Sequence, residues 1–151
     1  MCLPSTTFSS TAATNAPYAG GFIKWMGAAV VWFARKLKFI PLSTCEAEVA
    51  ALVNGLKESV FVLEILTDLG YEFESLPGFT DSKSGYDTVL NPGVTKRTAH
   101  FERWLYYARE MYLANKLLLS LVKDEEMMAD ALSKITDRVK FFKCRDAWGI
   151  Q

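Results

Sequence analysis

The chain has 151 residues, half of them hydrophobic, which is the size of one compact domain with a sizeable core. Its 17 Lys or Arg residues and 17 Asp or Glu residues cancel, which excludes a global field that attracts nucleic acid, so any basic surface must be local. No apolar run approaches the roughly 20 residues that cross a bilayer, so no membrane partner is expected.

The cysteines predict the cellular compartment. Cys2, Cys45 and Cys144 are odd in number and lack the spacing of a disulfide framework or a metal site. Free thiols are typical of a reducing environment, so an intracellular location, cytoplasmic or nuclear, is expected. The first twenty residues lack a basic start followed by an apolar stretch, which argues against a secretion signal.

The first part of the chain predicts strands. Residues 1–19 are expected to form a poorly specified first strand and loop, because this stretch is rich in Ser, Thr and Ala. Residues 21–26 and 28–33 then predict the two strands of a hairpin around Gly27.

A long helix is predicted next, over residues 43–69, with its end at Gly70. Gly55, in the middle of this stretch, is either a weak point of the helix or a site of close packing.

The second half of the chain predicts alternating elements. In chain order these are a short strand ending near Thr80, a helix to about Leu90, a helix over 98–114, a strand over 116–123 and two helices, the second over 137–148. Pro77 and Gly78 predict a local distortion of the first of these strands. The order of elements predicts an α/β fold with a mixed central sheet of about five strands and helices on both faces, as a single domain over 1–151.

Four carboxylates have positions that need an explanation. Ser43 and Glu46 have the S-x-x-E spacing of a capping box, which gives Glu46 a structural role. Glu48 is either a solvated edge residue or a functional acid. Asp81 is either the cap of the following helix or a functional acid at a strand end, and Asp130 is either a surface residue or a functional acid. Taken together, Glu48, Asp81 and Asp130 predict a site for a hard metal ion.

Several blocks of sequence carry a resemblance to a known family. They are GAAVVW at 27–32, LSTCEAE at 42–48, TDSKS at 80–84, KRTAH at 96–100 and ADALSK at 129–134. In this order and spacing the chain resembles, over nearly its whole length, the RNase H domain of copia-type LTR retrotransposon Pol polyproteins.

The resemblance implies the RNase H fold and the hydrolysis of the RNA strand of RNA·DNA hybrids. It implies Glu48, Asp81 and Asp130 as three of the family's four catalytic, metal-binding acids, with Mg²⁺ or Mn²⁺ as the cofactor. Two divalent ions about 4 Å apart can activate water and neutralise charge on the scissile phosphate, and carboxylates are their preferred ligands.

The family's fourth acid is missing from this chain. It lies on the first strand, and counting back from the second strand places Ser5 at its position. No Asp or Glu occurs before Glu46. Because a neutral hydroxyl cannot replace a carboxylate that neutralises two dications, the site is expected to be impaired.

Two functions remain open at this point. One is an impaired nuclease, and the alternative is a catalytically inactive module, a domesticated or decayed retroelement fragment, that binds nucleic acid or a protein partner. The following residues are candidates for phosphate contacts, or else ordinary surface cations: Arg35, Lys36, Lys96, Arg97 and Lys134.

Overall fold

A five-stranded sheet lies at the centre of the computed structural model, which describes residues 4–11, 17–91 and 101–150. The strands are β1 (Ser5–Thr11), β2 (Tyr18–Trp25), β3 (Ala28–Lys36), β4 (Leu76–Thr80) and β5 (Leu117–Leu121). The helices are α1 (Thr44–Asp68), α2 (Lys83–Leu90), α3 (Glu102–Leu113), α4 (Asp130–Ser133) and α5 (Arg138–Ala147). A 3₁₀ turn over Asp124–Glu126 follows β5.

The sheet is mixed, with the strand order β3-β2-β1-β4-β5. The first three strands pair antiparallel, whereas β1 with β4 and β4 with β5 pair parallel. The stretch predicted to be poorly specified therefore contributes β1, the central strand. The predicted α/β class with a mixed five-stranded sheet is confirmed.

Helices cover both faces of the sheet, and β1 shows this residue by residue. Phe8 packs against α1 at Gly55. The contact is so close that a Cβ built on Gly55 would lie 1.9 Å from the Phe8 ring. Ser9, the next residue, donates a hydrogen bond to Asp130 at the start of α4. Successive side chains of a strand point to opposite faces, so α1 and α4 lie on opposite sides of the sheet.

The hairpin of β2 and β3 turns at two residues with positive φ. Met26 has φ 50° and Gly27 has φ 94°. A two-residue turn of this kind has a twist that matches the flanking strands. The predicted hairpin is confirmed, although both strands are longer than the hydrophobic pattern indicated.

The predicted capping box is present at the start of α1. The Ser43 side chain accepts a hydrogen bond from the Glu46 amide at 3.1 Å. The Glu46 carboxylate accepts one from the Leu42 amide at 2.6 Å, one residue earlier than in the standard box. The structural role predicted for Glu46 is thus confirmed.

The distortion predicted for β4 is not observed. Pro77 and Gly78 pair in regular parallel register with Leu118 and Leu119 of β5. Pairing of β4 with β1 begins only at Gly78, so the missing amide of Pro77 falls outside that ladder. The structure thus accommodates the proline at the end of the strand where β4 has one neighbour.

The main core lies between the sheet and the helices α1, α2 and α3. Its buried side chains are Phe8, Val49, Leu52, Val53, Leu56, Leu76, Val89, Phe101, Leu105, Ala108, Leu117 and Leu119. Among the described helices, none combines the length and apolar character needed to cross a membrane.

Replacement of Gly55 by Ala is expected to destabilise the fold. The added methyl group would collide with the Phe8 ring, and overpacking of a core costs about 1–3 kcal/mol. The higher helix propensity of Ala, worth about 1 kcal/mol, offsets only part of this cost. Urea unfolding measures the difference. Phe8→Leu in the Gly55→Ala background is expected to recover part of the loss, and a Gly55→Ala protein as stable as wild type would contradict the close packing.

Candidate metal centre

Three carboxylates meet at one edge of the sheet. Oxygen atoms of Asp81, Asp124 and Asp130 all lie within 4.8 Å of one another. Asp81 directly follows β4, and Asp124 begins the 3₁₀ turn after β5. Because these two strands are parallel, the segments that leave their carboxyl ends lie at the same edge. The start of α4 brings Asp130 to the same place.

Close packing of α4 on the sheet depends on Gly20 of β2. A Cβ built at this position would lie 2.9 Å from the backbone carbonyl carbon of Leu132. Distances this short do not occur between real side chains and backbone, so a larger residue would push α4 away from the sheet. The glycine therefore helps to set the depth at which Asp130 is buried.

Asp130 is fully buried, with 0% of its surface exposed. Its Oδ1 accepts a hydrogen bond from Ser9 Oγ at 2.7 Å, and Ser133 Oγ donates to the same serine at 3.0 Å. Its Oδ2 contacts the ammonium groups of Lys134, at 2.9 Å, and of Lys140. A buried charge is tolerated only when it is paired and hydrogen-bonded, and Asp130 meets both conditions.

Lys140 joins Asp130 to the exposed Asp124. Its ammonium lies 3.0 Å from Oδ2 of Asp124 and donates to the backbone oxygen of the same residue at 2.8 Å. Lys134 approaches Asp124 Oδ1 at 3.4 Å. The ammonium groups of Lys134 and Lys140 therefore each contact both Asp124 and Asp130.

The electrostatic surroundings shift the pKa values of Asp81 and Asp124 in opposite directions. Burial raises the pKa of the Asp81 carboxyl above its ordinary value, and the charge of Asp130 raises it further. The hydrogen bond from Lys140 lowers the pKa of Asp124. Burial works to lower the pKa of Lys140, but its bonds to Asp130 and Asp124 outweigh this and raise it.

The structure decides between several interpretations of the predicted acids. Asp81 is not the cap of α2, because Ser82 is the N-cap and accepts from the Gly85 amide at 3.1 Å. Asp130 is not a surface residue. Glu48 is half-buried on α1 beside the first turn of α2, where a Cβ built on Gly85 would lie 3.4 Å from its Cβ. Its carboxylate is not part of the three-residue cluster.

The serine next to Asp130 is Ser9, not Ser5. Ser5 pairs with Lys24 at the opposite end of β1, about 13 Å away at the usual rise of a strand. The parallel pairing of Thr7 with Phe79 brings Ser9 level with Asp81. Ser5 and Ser9 share a face because they are four residues apart, so alternation could not separate them. The placement of Ser5 at this site is corrected accordingly.

The predicted phosphate contacts lie in different surroundings. Arg35 is exposed on β3 and forms an ion pair with Glu58 at 2.6 Å. Lys36 is exposed at the end of the same strand. Lys134 contacts the acids instead of lying free on the surface. Lys96 and Arg97 lie outside the described residues.

The donor set fits a hard divalent ion in its chemistry, since three carboxylate oxygens lie close enough to share one cation. The sequence reasoning missed two members of this site, Asp124 and Lys140. The acidic run after β5 was the only signal for Asp124, and no local pattern indicated Lys140.

Solved structures that share this fold include RNase H domains. The N-terminal RNase H domain of Rv2228c from Mycobacterium tuberculosis, solved as a fusion with maltose binding protein, has a TM-score of 0.67 at 12% identity, covering 88% of this chain and 91% of that one. LC11-RNase H1, isolated from compost by a metagenomic approach, has a TM-score of 0.67 at 18% identity, covering 87% and 93%. Its complex with an RNA/DNA hybrid has a TM-score of 0.62 at 15% identity, covering 86% and 91%. The chain therefore has the RNase H fold.

The curated relatives of this chain are Pol polyproteins of plant transposons. The Pol polyprotein of transposon TNT 1-94 from Nicotiana tabacum is 30% identical over 131 residues, which are 87% of this chain. The Pol polyprotein of transposon RE2 from Arabidopsis thaliana is 26% identical over 146 residues, 89% of this chain. The chain spans 10% of the length of each. No protein-family model matches the chain. The sequence relatives are Pol polyproteins of plant transposons and the structural neighbours are RNase H domains, and both agree with the resemblance that the sequence blocks carry.

Asp81→Asn is expected to stabilise the protein at neutral pH. The folded-state pKa of Asp81 lies above its unfolded value, so its ionisation costs folding free energy above the ordinary range of aspartate, about pH 4. The cost is absent below that range, where both states are protonated. Urea unfolding at pH 7 and about pH 3 is expected to show an advantage of the variant at pH 7 only. Asp87→Asn, at an exposed carboxylate of α2, is the control. Asp81→Asn that lowers stability at pH 7 would contradict the electrostatic cost assigned to this carboxylate.

Proposed function

We propose that this domain binds RNA·DNA hybrid and hydrolyses its RNA strand only slowly, with Mg²⁺ or Mn²⁺ as cofactor. The observation that carries the proposal is the Ser9 hydroxyl, which donates to Asp130 at 2.7 Å from the strand on which the family carries an acid. A hydroxyl at this position adds no negative charge to the site. It therefore leaves the centre short of the charge that a pair of dications requires.

The fold and the relatives support the choice of substrate. LC11-RNase H1, which shares the fold, has been solved with an RNA/DNA hybrid. Retrotransposon Pol polyproteins include the segments that this chain matches. The hybrid is therefore the substrate class that we assign to this domain.

The acids of the site would hold the divalent ion in the proposed chemistry. When bound, the ion supplies an activated water and positive charge at the scissile phosphate. Asp81 and Asp130 would hold it, together with Asp124 and with Glu48 from α1. Because burial and the charge of Asp130 raise the pKa of Asp81, a proton competes with the ion for this carboxylate at higher pH than for an ordinary aspartate. The ammonium groups on Asp130 reduce the negative charge of the site further.

Phosphate contacts are assigned to the basic residues outside the acid cluster. Arg35 and Lys36 are exposed on β3, and we include Lys96 and Arg97 from the sequence pattern. Contacts of this kind release counterions, so hybrid binding is expected to weaken steeply with salt. Cys45 and Cys144 are free thiols, which supports a reducing cytoplasmic or nuclear compartment.

The pairing of Asp130 with two lysines favours a second candidate function. If these ion pairs persist, the domain is a catalytically inactive module that binds nucleic acid or a protein partner through the same fold. Steep salt dependence of hybrid binding without cleavage would support nucleic acid as the ligand. Salt-independent association would support a protein partner.

Ser9→Asp is expected to raise hydrolysis of a labelled RNA·DNA hybrid by at least about tenfold, since even the outer partners of metal ligands are worth 10–100-fold. The new carboxylate would lie beside Asp130 and level with Asp81, where it can share a divalent ion with both. Rates are measured with Mg²⁺ and with Mn²⁺. The same substitution at the other end of the strand, Ser5→Asp, is the matched control and is expected to leave the rate unchanged.

The wild-type protein is expected to give little cleavage in the same assay. Robust cleavage that Asp81→Asn abolishes would show that the site is competent, and so contradict the proposed impairment. A rate that rises with Ser5→Asp and not with Ser9→Asp would contradict the role assigned to Ser9. In a Ser9→Asp protein the crowded carboxylates also predict a higher melting temperature on addition of Mn²⁺.

A further inference from the structure

The side chain of Lys140 lies where it contacts two acids of the metal centre at once. Its ammonium touches Oδ2 of Asp130 and Oδ2 of Asp124, and it also donates to the backbone oxygen of Asp124. Only 16% of the Lys140 side chain is exposed, in contrast to an ordinary surface lysine. The group is thus held by three oxygens in the space that separates the two carboxylates.

The position of Lys140 is fixed by the start of α5. Asp137 is the N-cap of this helix, and its carboxylate accepts a hydrogen bond from the Lys140 amide at 2.9 Å. One turn later on the same face, Cys144 is fully buried. These two anchors orient the face of α5 that carries Lys140 toward the acids.

The other cations of α5 lie elsewhere. Arg138 and Arg145 lie over the Phe142 ring, and Arg145 pairs with Asp146 at 2.6 Å. Lys143 is exposed. Among the four basic residues of this helix, Lys140 is therefore the one that reaches the metal centre.

The charge of the cluster limits what it can hold. The three carboxylates of the cluster face two ammonium groups, from Lys134 and Lys140, which leaves one excess negative charge, and Glu48 would raise the excess to two where it joins the ion. Two dications would bring four positive charges into the same space, and like charges a few ångströms apart repel strongly at low effective dielectric. With Ser9 instead of an acid on β1, no further carboxylate from that strand offsets them.

We propose that Lys140 is a built-in counter-ion that restricts this centre to at most one weakly held divalent ion. The inference rests on the metal centre of the proposed function and adds the residue that sets its ion capacity. A divalent ion that binds Asp130 and Asp124 must displace the Lys140 ammonium, so the lysine and the ion compete for the same oxygens. Lys140 acts by competing with the ion and is not a catalytic residue.

Replacement of Lys140 tests the competition directly. Lys140→Gln removes the charge and keeps a hydrogen-bond donor, while Lys134 and Ser9 continue to contact Asp130. Isothermal titration of the full chain with Mn²⁺ is expected to show binding at least about tenfold tighter in this variant than in wild type. Lys143→Gln, on the exposed face of the same helix, is the matched control and is expected to bind like wild type. Lys140→Arg, which keeps the charge, is also expected to bind weakly.

Three results would overturn the proposal. They are Mn²⁺ affinity in Lys140→Gln no higher than in Lys143→Gln, equal tightening in Lys140→Arg, and two ions bound per wild-type chain. These three results are measurements of ion binding. The proposed function is tested separately, by the rate of hybrid cleavage in the wild-type protein, so the two can fail independently.

A measurement on the wild-type protein covers the case in which Lys140→Gln does not fold. NMR signals of lysine ammonium groups are observed while Mg²⁺ is added. The Lys140 signal is expected to shift as the ion displaces it from Asp130 and Asp124. Saturation by Mg²⁺ with an unchanged Lys140 signal would refute the competition.

Discussion

The wholly buried carboxylate of Asp130 is the interaction on which the rest of this site depends. A buried charge must be compensated, and here the partners come from three separate parts of the chain. Ser9 reaches it from the central strand, Lys134 from the end of α4 and Lys140 from α5. The requirement to satisfy one carboxylate therefore ties the centre of the sheet to the C-terminal helices.

The sheet itself determines which acids can join Asp130. Parallel pairing of β4 with β1 and β5 puts Asp81 and Asp124 at the same edge, since both follow the carboxyl ends of parallel strands. Burial raises the pKa of Asp81, and the nearby charge of Asp130 raises it further. Repulsion among these acids has to be offset by cations, and this need explains why basic residues lie within the cluster as well as outside it.

Local sequence patterns predicted those features that depend on neighbours along the chain. The capping box fixed the start of α1, and the close packing expected at Gly55 is present against Phe8. The five strands and the acids Asp81 and Asp130 were also recognisable, because strand ends and motif blocks carry them. The contacts of Asp124 and Lys140 were not predictable, since they arise only when the turn after β5 meets the first turn of α5. Ser5 and Ser9 could not be told apart because a strand repeats every two residues, and only the pairing with β4 sets the register.

Ser9, Lys134 and Lys140 together compensate the buried charge of Asp130. A carboxylate on β1 beside Asp130 would leave two adjacent negative charges that require a metal ion, whereas the Ser9 hydroxyl donates a hydrogen bond and adds no charge. With that charge absent, Lys134 and Lys140 are sufficient to compensate Asp130. The folded state then compensates Asp130, its fully buried carboxylate, with the chain's own groups. Its stability is separated from ion binding, so the RNase H fold can persist in this chain whether or not its acids hydrolyse a phosphodiester.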